Sequence, residues 1–98
     1  MKRLRLDSSA REELLHEVRY YEAIRPGTGR RFREAVDVAF SRIRRTPNAG
    51  RHEEEECRSL RVKGFPFAVV YQEQHEEVVV LAIRADAREP GYWRARAK

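Results

Sequence analysis

The feature that most constrains the fold is an unbroken apolar run, Val78 to Ile83, near the C-terminal end of the chain. Three valines followed by leucine, alanine and isoleucine favour extended backbone, and an apolar run of this length is typical of a buried strand. The segment that follows, Arg84 to Arg96, places several arginines, a tyrosine and a tryptophan close to the end of that strand. A rigid strand end that carries charged and aromatic groups is a candidate functional surface.

Alternating residues predict two further strands. Lys2 to Leu6 alternates cations with leucines, which is the period-two pattern of a half-buried strand. Leu60 and Val62 alternate with Arg61 and Lys63 in the same way. The two apolar residues are expected to face the core, and the two cations are expected to face away from it.

A hairpin is predicted to join the apolar run to the strand before it. The stretch from Phe65 to Tyr71 is rich in β-formers, and the polar segment from Gln72 to Glu77 separates it from the run. Pro66 has no amide to donate to a sheet, so it is expected at the start of its strand or beside a bulge.

Two helices are predicted between the first strand and the rest. Ser9 and Glu12 fit a capping box, and apolar residues at spacings of three and four continue to about Ile24. Residues 25–29 contain a proline and two glycines and predict a turn. A second amphipathic helix follows and is closed by Pro47.

The predicted fold is a single α+β domain, residues 1–98, with the order β-α-α-β-β-β. An antiparallel sheet carries the helical hairpin on one face, because two helices of similar length joined by a short turn need a third layer to cover them. The other face is expected to be open. Arg61 and Lys63 would make that open face cationic.

The charge balance favours an anionic partner. The chain has 21 Lys or Arg against 16 Asp or Glu, for a net charge of +5, and all but three of its cations are arginines. Arginine offers a flat, bidentate fork that suits phosphate and carboxylate groups. The alternative is that most of these arginines are simply solvated. Glu53 to Glu56 are four adjacent like charges, which predicts that residues 51–57 form an exposed loop.

Metal, disulfide and membrane chemistry find little support. Cys57 is the single cysteine, so no intramolecular disulfide can form, and a reducing compartment, the cytoplasm, is the expected location. No apolar stretch approaches the ~20 residues of a membrane span. No metal-ligand spacing occurs, and we expect no metal and no cofactor. His16, His52 and His75 are expected on the solvated surface.

Several short motifs, weak alone, occur in a specific order and together resemble a known family. They are Ser9-Ala10-Arg11-Glu12-Glu13-Leu14, Tyr20-Tyr21, Pro26 to Phe32, Pro47, Arg58, Phe65 to Tyr71, Val80 to Ile83, and Arg88 to Trp93. In these motifs the chain is similar to toxins of the RelE/ParE superfamily of bacterial type II toxin-antitoxin modules, also called plasmid stabilisation proteins, and most resembles the ParE side. One departure concerns the residues after the last strand, where relatives often carry a histidine and then an arginine pair. Here Arg84-Ala85 and Arg88-Glu89 stand instead, which weakens any histidine-based mechanism.

The resemblance implies a growth-arresting toxin that a cognate antitoxin neutralises, as a homodimer or as a hetero-oligomer with the antitoxin. A ParE-like toxin would bind and inhibit DNA gyrase. A RelE-like toxin would instead be an enzyme, a metal-free endoribonuclease that cleaves mRNA on the ribosome. A nontoxic nucleic-acid-binding module is a third interpretation, since a basic sheet could bind phosphates without chemistry.

The residues expected to act depend on which interpretation holds. Metal-free RNA cleavage needs a base, an acid and cations for the phosphate, and unperturbed Tyr and Lys titrate near ~10, far from neutrality. Tyr92 and Trp93 have a structural alternative, in which they cover the open end of the core. The ribonuclease candidates are Arg61, Lys63, Tyr71, Arg84, Arg88 and Tyr92. The candidates for binding the target or the antitoxin are Arg61, Lys63, Arg84, Arg88, Pro90, Tyr92, Trp93, Arg94 and Arg96.

Overall fold

The computed structural model describes residues 1–98 and contains one five-stranded sheet and two long helices. No helix has the length and apolar character that crossing a membrane requires. The predicted strands and helices are all present, and one short strand, β2, is additional. The elements are β1 Arg3–Leu6, α1 Ser8–Ile24, α2 Thr28–Arg45, β2 Arg51–His52, β3 Arg58–Arg61, β4 Phe67–Glu73 and β5 Glu77–Ala85.

The sheet has the strand order β1-β5-β4-β3-β2, with the apolar run at its centre in β5. Four neighbouring strands, β2 to β5, pair antiparallel, whereas β1 pairs parallel to β5, with Leu4 opposite Val78 and Leu6 opposite Val80. The predicted antiparallel sheet is therefore confirmed for β2 to β5, and only the edge strand β1 departs from it. Residue alternation defines the two faces of a strand but not its direction, so the sequence pattern carried no information about this pairing.

The first helix is capped by a residue other than the predicted one. The Asp7 carboxylate accepts a hydrogen bond from the backbone N–H of Ser9 at 3.0 Å, and the helix begins at Ser8. Ser9 lies inside the helix, so the capping box with Glu12 is wrong. Aspartate satisfies a free amide as well as serine does and adds a negative charge at the positive end of the helix dipole.

The turn between the helices depends on two glycines. Gly27 has φ +91°, a left-handed conformation that glycine adopts without strain. A Cβ on Gly29 would lie 2.5 Å from the backbone oxygen of Val18, so only glycine lets α2 approach α1 this closely. The Glu22 carboxylate accepts hydrogen bonds from both glycine amides, which fixes the hairpin.

The helical hairpin covers the first face of the sheet with a core of buried aliphatic and aromatic side chains. Four rings meet edge to face or tilted near the turn end, with centroid separations between 5.1 and 6.2 Å. Such aromatic pairs add stability beyond the area that they bury. Val62 lies fully buried in this core and Leu60 packs against it, which confirms their predicted direction. The rings are those of Tyr21, Phe32, Phe65 and Phe67.

A bulge in β5 changes which side chains reach the second face, the face of the sheet opposite the helices. Val70 of β4 pairs with Ala82, whereas the next residue, Tyr71, pairs with Val80, so Leu81 is the extra residue. Leu81 and Ala82 consequently both contribute to the second face. Pro66 immediately precedes β4, which confirms its predicted place at the start of a strand.

The second face is not open. A second buried cluster covers it, in which Val70, Val79 and Leu81 pack against Trp93 from the end of the chain. Trp93 is only 1% exposed. Cys57, which enters from the loop before β3, is buried in the same cluster. The prediction of a free, cationic sheet face is therefore wrong: the fold has three layers, with helices on one face and the chain's own terminus on the other.

Candidate functional site

The candidate site is built by the C-terminal tail, residues 86–98, as it folds back over the second face. The tail leaves β5 through a turn in which Asp86 donates its backbone N–H to the Pro66 carbonyl and Arg88 donates to the Ala85 carbonyl. Trp93 then inserts into the second cluster, and a single helical turn, Arg94–Arg96, follows it. The exposed residues of the tail are thus displayed on a rigid support.

Glu13 of α1 fastens this tail to the sheet. One carboxylate oxygen accepts from the backbone N–H of Ile83 at 3.0 Å and from the Arg96 guanidinium at 3.2 Å, and the other accepts from the Tyr92 hydroxyl at 3.0 Å. Arg96 also donates to the Leu81 carbonyl at 2.9 Å. Glu13 and Arg96 thus hydrogen-bond to the backbone of β5 where it continues beyond its pairing with β1. The Glu13 side chain is only 18% exposed, so most of it is shielded from solvent.

Tyr92 lies between two guanidinium groups. The Arg88 guanidinium carbon is 3.8 Å from the centre of the Tyr92 ring, and that of Arg96 is 5.1 Å away, both within cation–π range. Burial, followed by the negative charge and the hydrogen bond of Glu13, raises the pKa of Tyr92 to about 12. The phenol therefore stays protonated and donates to Glu13 at neutral pH.

The cations of the second face are paired rather than free. Arg61 contacts Asp86 through two hydrogen bonds of 2.6 and 2.9 Å, and this contact raises the pKa of Arg61 and lowers that of Asp86. Arg84, at the end of β5, lies 3.3 Å from Glu53. Arg88 contacts its neighbour, Glu89, at 3.2 Å. The predicted cationic face is largely neutralised by carboxylates.

The acidic loop supplies part of this neutralisation. The Ser59 hydroxyl donates to the Glu53 carboxylate at 2.6 Å, and Arg94 donates to Glu54 at 2.8 Å. Residues 51–57 were predicted to be an exposed loop, but Arg51 and His52 pair with β3 and Glu53 packs against the second face. Adjacent like charges are tolerated here because two of them meet arginines.

A pocket of about 350 Å³ opens between the acidic loop and the tail. Its walls include Arg84, Arg88, Pro90 and Trp93 on one side and Glu53 with Glu54 on the other. The indole N–H of Trp93 is buried and has no acceptor in the protein. A buried donor without an acceptor costs free energy, which offsets part of the stability gained by burying the indole ring.

Two predicted residues lie away from this pocket. Tyr71 points into the first core, where its hydroxyl donates to the Pro47 carbonyl at 2.6 Å and accepts from the Gly50 N–H at 2.9 Å. Burial raises its pKa. Lys63 lies in the turn after β3 and is exposed, as expected of a residue that faces away from the core.

The predicted residues divide into supporting and exposed groups. Trp93 lies inside the second cluster, and the side chains of Arg84 and Arg96 are largely covered by their partners. The histidines at positions 16, 52 and 75 are all exposed, as predicted. No cluster of three or more His, Cys, Asp or Glu residues could hold a metal ion. Among the predicted site residues of the strands and the tail, those that remain exposed are Arg61, Arg88, Pro90 and Arg94.

Sequence reasoning missed the carboxylates that organise the site, which are Glu13, Glu53 and Glu54. Glu13 lies near the edge of the apolar side of α1 that Ala10 and Val18 define. Nothing in the neighbouring sequence indicates that its carboxylate accepts hydrogen bonds from residues far along the chain. The glutamate quartet did carry a signal. Four adjacent carboxylates in a chain with an excess of arginine are expected to find cationic partners wherever the fold brings these within reach.

Comparison with known proteins identifies the family to which the chain belongs. A sequence model described as the ParE toxin of the type II toxin-antitoxin system, parDE, matches residues 4–90. A solved structure titled as the chromosomal ParDE toxin-antitoxin system from P. aeruginosa has a similar fold, with a TM-score of 0.78 and 20% sequence identity over 87% of this chain and 96% of that chain. No curated protein matches the sequence significantly. Because the family match runs from β1 through β5 into the tail, the chain belongs to the ParE toxin family of type II toxin-antitoxin systems.

Proposed function

We propose that this type II toxin arrests growth by binding and inhibiting DNA gyrase, and that a cognate antitoxin neutralises it in the cytoplasm. The observation that carries the proposal is the family match, which spans β1 to the tail at residue 90. The tail supports it as the contact surface, because it presents exposed side chains on a backbone that the buried Trp93 holds in place.

The chemistry of the site favours binding over RNA cleavage. General acid–base catalysis works best with groups that titrate near the operating pH. Tyr92 has a pKa raised to about 12, and the Tyr71 hydroxyl is engaged with backbone groups inside the first core. Arg61, Arg84 and Arg88 each have a carboxylate partner, so they are poised to exchange ion pairs with a partner protein.

The proposed contact surface consists of the exposed tail residues Arg88, Pro90 and Arg94, together with Arg61 at the neighbouring strand end. Ion pairs already hold the three arginines and Pro90 is rigid, so this surface loses less conformational entropy on binding than free side chains would. Trp93 acts below this surface as its support. The same surface is open to an antitoxin segment, which would explain neutralisation by direct competition.

A supercoiling assay with purified gyrase tests the proposal. The purified toxin is expected to inhibit supercoiling in a dose-dependent manner, and Arg88→Ala is expected to weaken inhibition about tenfold, in the range of a moderate interface arginine. Arg19→Ala is the matched control, because Arg19 is exposed on α1, remote from the tail in sequence, and makes no side-chain hydrogen bond or ion pair. Normal supercoiling at all toxin concentrations, together with ribosome-dependent cleavage of mRNA, would replace gyrase by the ribonuclease alternative.

Neutralisation has its own test. The toxin is expected to form a stable complex with the product of a neighbouring short reading frame when the two are expressed together, and the complex is expected to leave supercoiling intact. A complex that forms and still inhibits gyrase would contradict competition at the tail. The size of the complex would also establish whether the toxin acts as a homodimer or within a hetero-oligomer.

A further inference from the structure

The last turn of α2 carries three arginines that have no carboxylate partner. Arg42, Arg44 and Arg45 are all exposed, and none of them forms an ion pair. The Arg44 guanidinium donates to the backbone carbonyl of Lys2 at 3.1 Å, whereas Arg42 and Arg45 make no side-chain hydrogen bond. The C-terminal end of α2 therefore presents uncompensated positive charge to solvent.

The arginines near the start of the same helix are mostly balanced. Arg30 lies 3.4 Å from Glu34, and Arg33 lies 3.2 Å from Asp37, each pair one helical turn apart. Only Arg31, which donates to the Thr28 hydroxyl, lacks a carboxylate there. The two ends of α2 thus differ in whether their arginines are free to meet an external anion.

Arg58 of β3 adds a fourth cation beside the last turn of α2. Its guanidinium donates to the carbonyls of Asn48 and Gly50, in the segment that follows α2, at 3.3 and 2.9 Å. Burial raises the pKa of Tyr71, and the charges of Arg58 and Arg42 partly oppose that rise, so both guanidinium groups act on the same hydroxyl. We call these four residues the basic patch: Arg42, Arg44, Arg45 and Arg58.

The carboxylate that faces the same hydroxyl does not neutralise the basic patch. The charge of Glu73 also acts on Tyr71, but its carboxylate already contacts the Lys2 ammonium at 3.0 Å. None of the four arginines has an acidic partner of its own, in contrast to Arg61, Arg84 and Arg88 around the tail.

The surroundings of the basic patch distinguish between anionic partners. No aromatic side chain is exposed on α2 or β3, and single-stranded nucleic acids usually stack their bases on exposed aromatic rings. Val38 is the one large apolar residue exposed on α2, whereas protein segments are usually anchored in apolar pockets. Contacts to the phosphates of a duplex need cations alone.

We propose that the basic patch binds the phosphate backbone of double-stranded DNA without reading its sequence. Guanidinium groups suit phosphate oxygens, which they can contact in a bidentate manner. This binding is an activity in addition to the proposed inhibition of gyrase. The patch belongs to the helical side of the sheet and the tail covers the second face, so the toxin can hold DNA and a protein target at the same time.

DNA binding can be measured with the full-length toxin alone. The probe is a fluorescein-labelled duplex of 20 base pairs and arbitrary sequence, followed by fluorescence anisotropy between 50 and 200 mM NaCl. Four phosphate contacts predict that the logarithm of the binding constant falls with the logarithm of the salt concentration with a slope of about −3 to −4. Absence of binding at 50 mM NaCl would overturn the proposal.

Arg42→Ala/Arg45→Ala removes two of the four contacts. These side chains make no hydrogen bond or ion pair and alanine favours helix, so the variant is expected to keep its fold. Its Kd for the duplex at 50 mM NaCl is expected to rise at least about tenfold, and the salt slope is expected to fall to about −2. An unchanged Kd and slope would contradict binding at this end of α2.

Arg30→Ala/Arg33→Ala is the matched control, because it removes the same charge from the same helix where the arginines already have partners. It is expected to raise the Kd less than about threefold. Equal losses in the two double variants would overturn the proposal, since net charge would then explain both. Arg42→Lys/Arg45→Lys is expected to retain most of the binding, because lysine also contacts phosphate. A loss as large as that in the alanine variant would exclude charge as the cause and would equally overturn the proposal.

Two competing probes test the identity of the ligand. A single strand of the same length that binds as tightly as the duplex, with the same dependence on Arg42 and Arg45, would overturn the assignment to double-stranded DNA. Tighter binding of hexaglutamate with that dependence would replace DNA by an acidic protein segment. Because gyrase is absent from these titrations, their outcome is independent of the proposed target.

Discussion

Replacing Glu13 with alanine is expected to release the C-terminal tail. Glu13 accepts three hydrogen bonds, from the Ile83 backbone, the Tyr92 hydroxyl and the Arg96 guanidinium, with donor–acceptor distances of 3.0, 3.0 and 3.2 Å. Its side chain is 18% exposed, so these bonds are shielded from water over most of their surface. Loss of the carboxylate leaves each of the three donors without this acceptor.

The structure sets the size of the effect. An ordinary hydrogen bond contributes a net ~1 kcal/mol, and a bond to a charged group somewhat more. Tyr92 and Arg96 belong to the tail and can turn partly to solvent, whereas the Ile83 amide is fixed in the sheet. We therefore expect a loss of about 2 kcal/mol in the free energy of unfolding, which for a domain of this size corresponds to a fall in Tm of about 10 °C.

Two measurements on one protein separate tail release from general destabilisation. Thermal unfolding followed by circular dichroism gives the change in Tm, and acrylamide quenching at room temperature reports on Trp93, the one tryptophan of the chain. Quenching is expected to rise in Glu13→Ala, because the tail carries Trp93 into the second cluster. Glu12→Ala is the control, because it removes the same charge and changes helix propensity equally, whereas Glu12 is exposed and makes no side-chain hydrogen bond or ion pair. Equal Tm values and equal quenching in the two variants would refute the role of Glu13.

Three further outcomes are expected. Tyr71→Phe should lower the free energy of unfolding by about 2 kcal/mol in urea titrations, because its hydroxyl bridges two backbone groups; an unchanged midpoint would contradict this. Burial and nearby glutamates raise the pKa of Cys57 to about 11. Its thiol should therefore react with a disulfide reagent at pH 8 about 100-fold more slowly than a peptide thiol. The folded pKa of Tyr92 lies above its unfolded value, so the associated stability is present below pH 10 and is lost as the pH rises toward about 12. Melting curves between pH 9 and 11.5 should show this loss, and it should shrink in Glu13→Gln.

Most of the fold could be predicted from local patterns. The alternation in Lys2 to Leu6, the helical spacing of the apolar residues, and the polar turn before Val78 each predicted an element that the structure contains. The sequence placed the start of α1 at about Ser9, whereas the helix begins at Ser8 and is capped by Asp7. Aspartate and serine are equally good caps, so the local sequence did not distinguish between the two starts. The two-residue strand β2 is too short to leave a pattern.

The covered second face could have been inferred from the run that defines the fold. Val78 to Ile83 does not alternate, and a strand without polar alternation is typically buried on both of its faces. All six residues are buried, and the bulge at Leu81 turns two successive side chains to the second face. An apolar strand of this kind therefore needs a covering element on each side. The structural alternative for Trp93, in which it covers the open end of the core, already named this element, and Trp93 is buried in the second cluster.

The ion pairs of the site could not be predicted, because they join residues far apart in the sequence. Arg96 and Glu13 are 83 positions apart, and Arg61 and Asp86 are 25 apart. Pairing of this kind requires knowledge of how the tail folds back, which only the three-dimensional structure gives. Charge counting predicted an anionic partner for the chain as a whole but could not say which surface carries the excess.

The structure locates that excess mainly on α2, which has six arginines against two acidic residues, a balance of +4 within a chain of net charge +5. Arg42, Arg44 and Arg45 occupy its last turn, where they also interact favourably with the helix dipole. Long-range attraction of an anionic partner would therefore originate on the helical side, and salt would screen it. On the second face a partner meets arginines that already have carboxylates, so binding there depends on exchange of ion pairs at short range. The rate of association and the affinity of this toxin are thus expected to depend on different arginines.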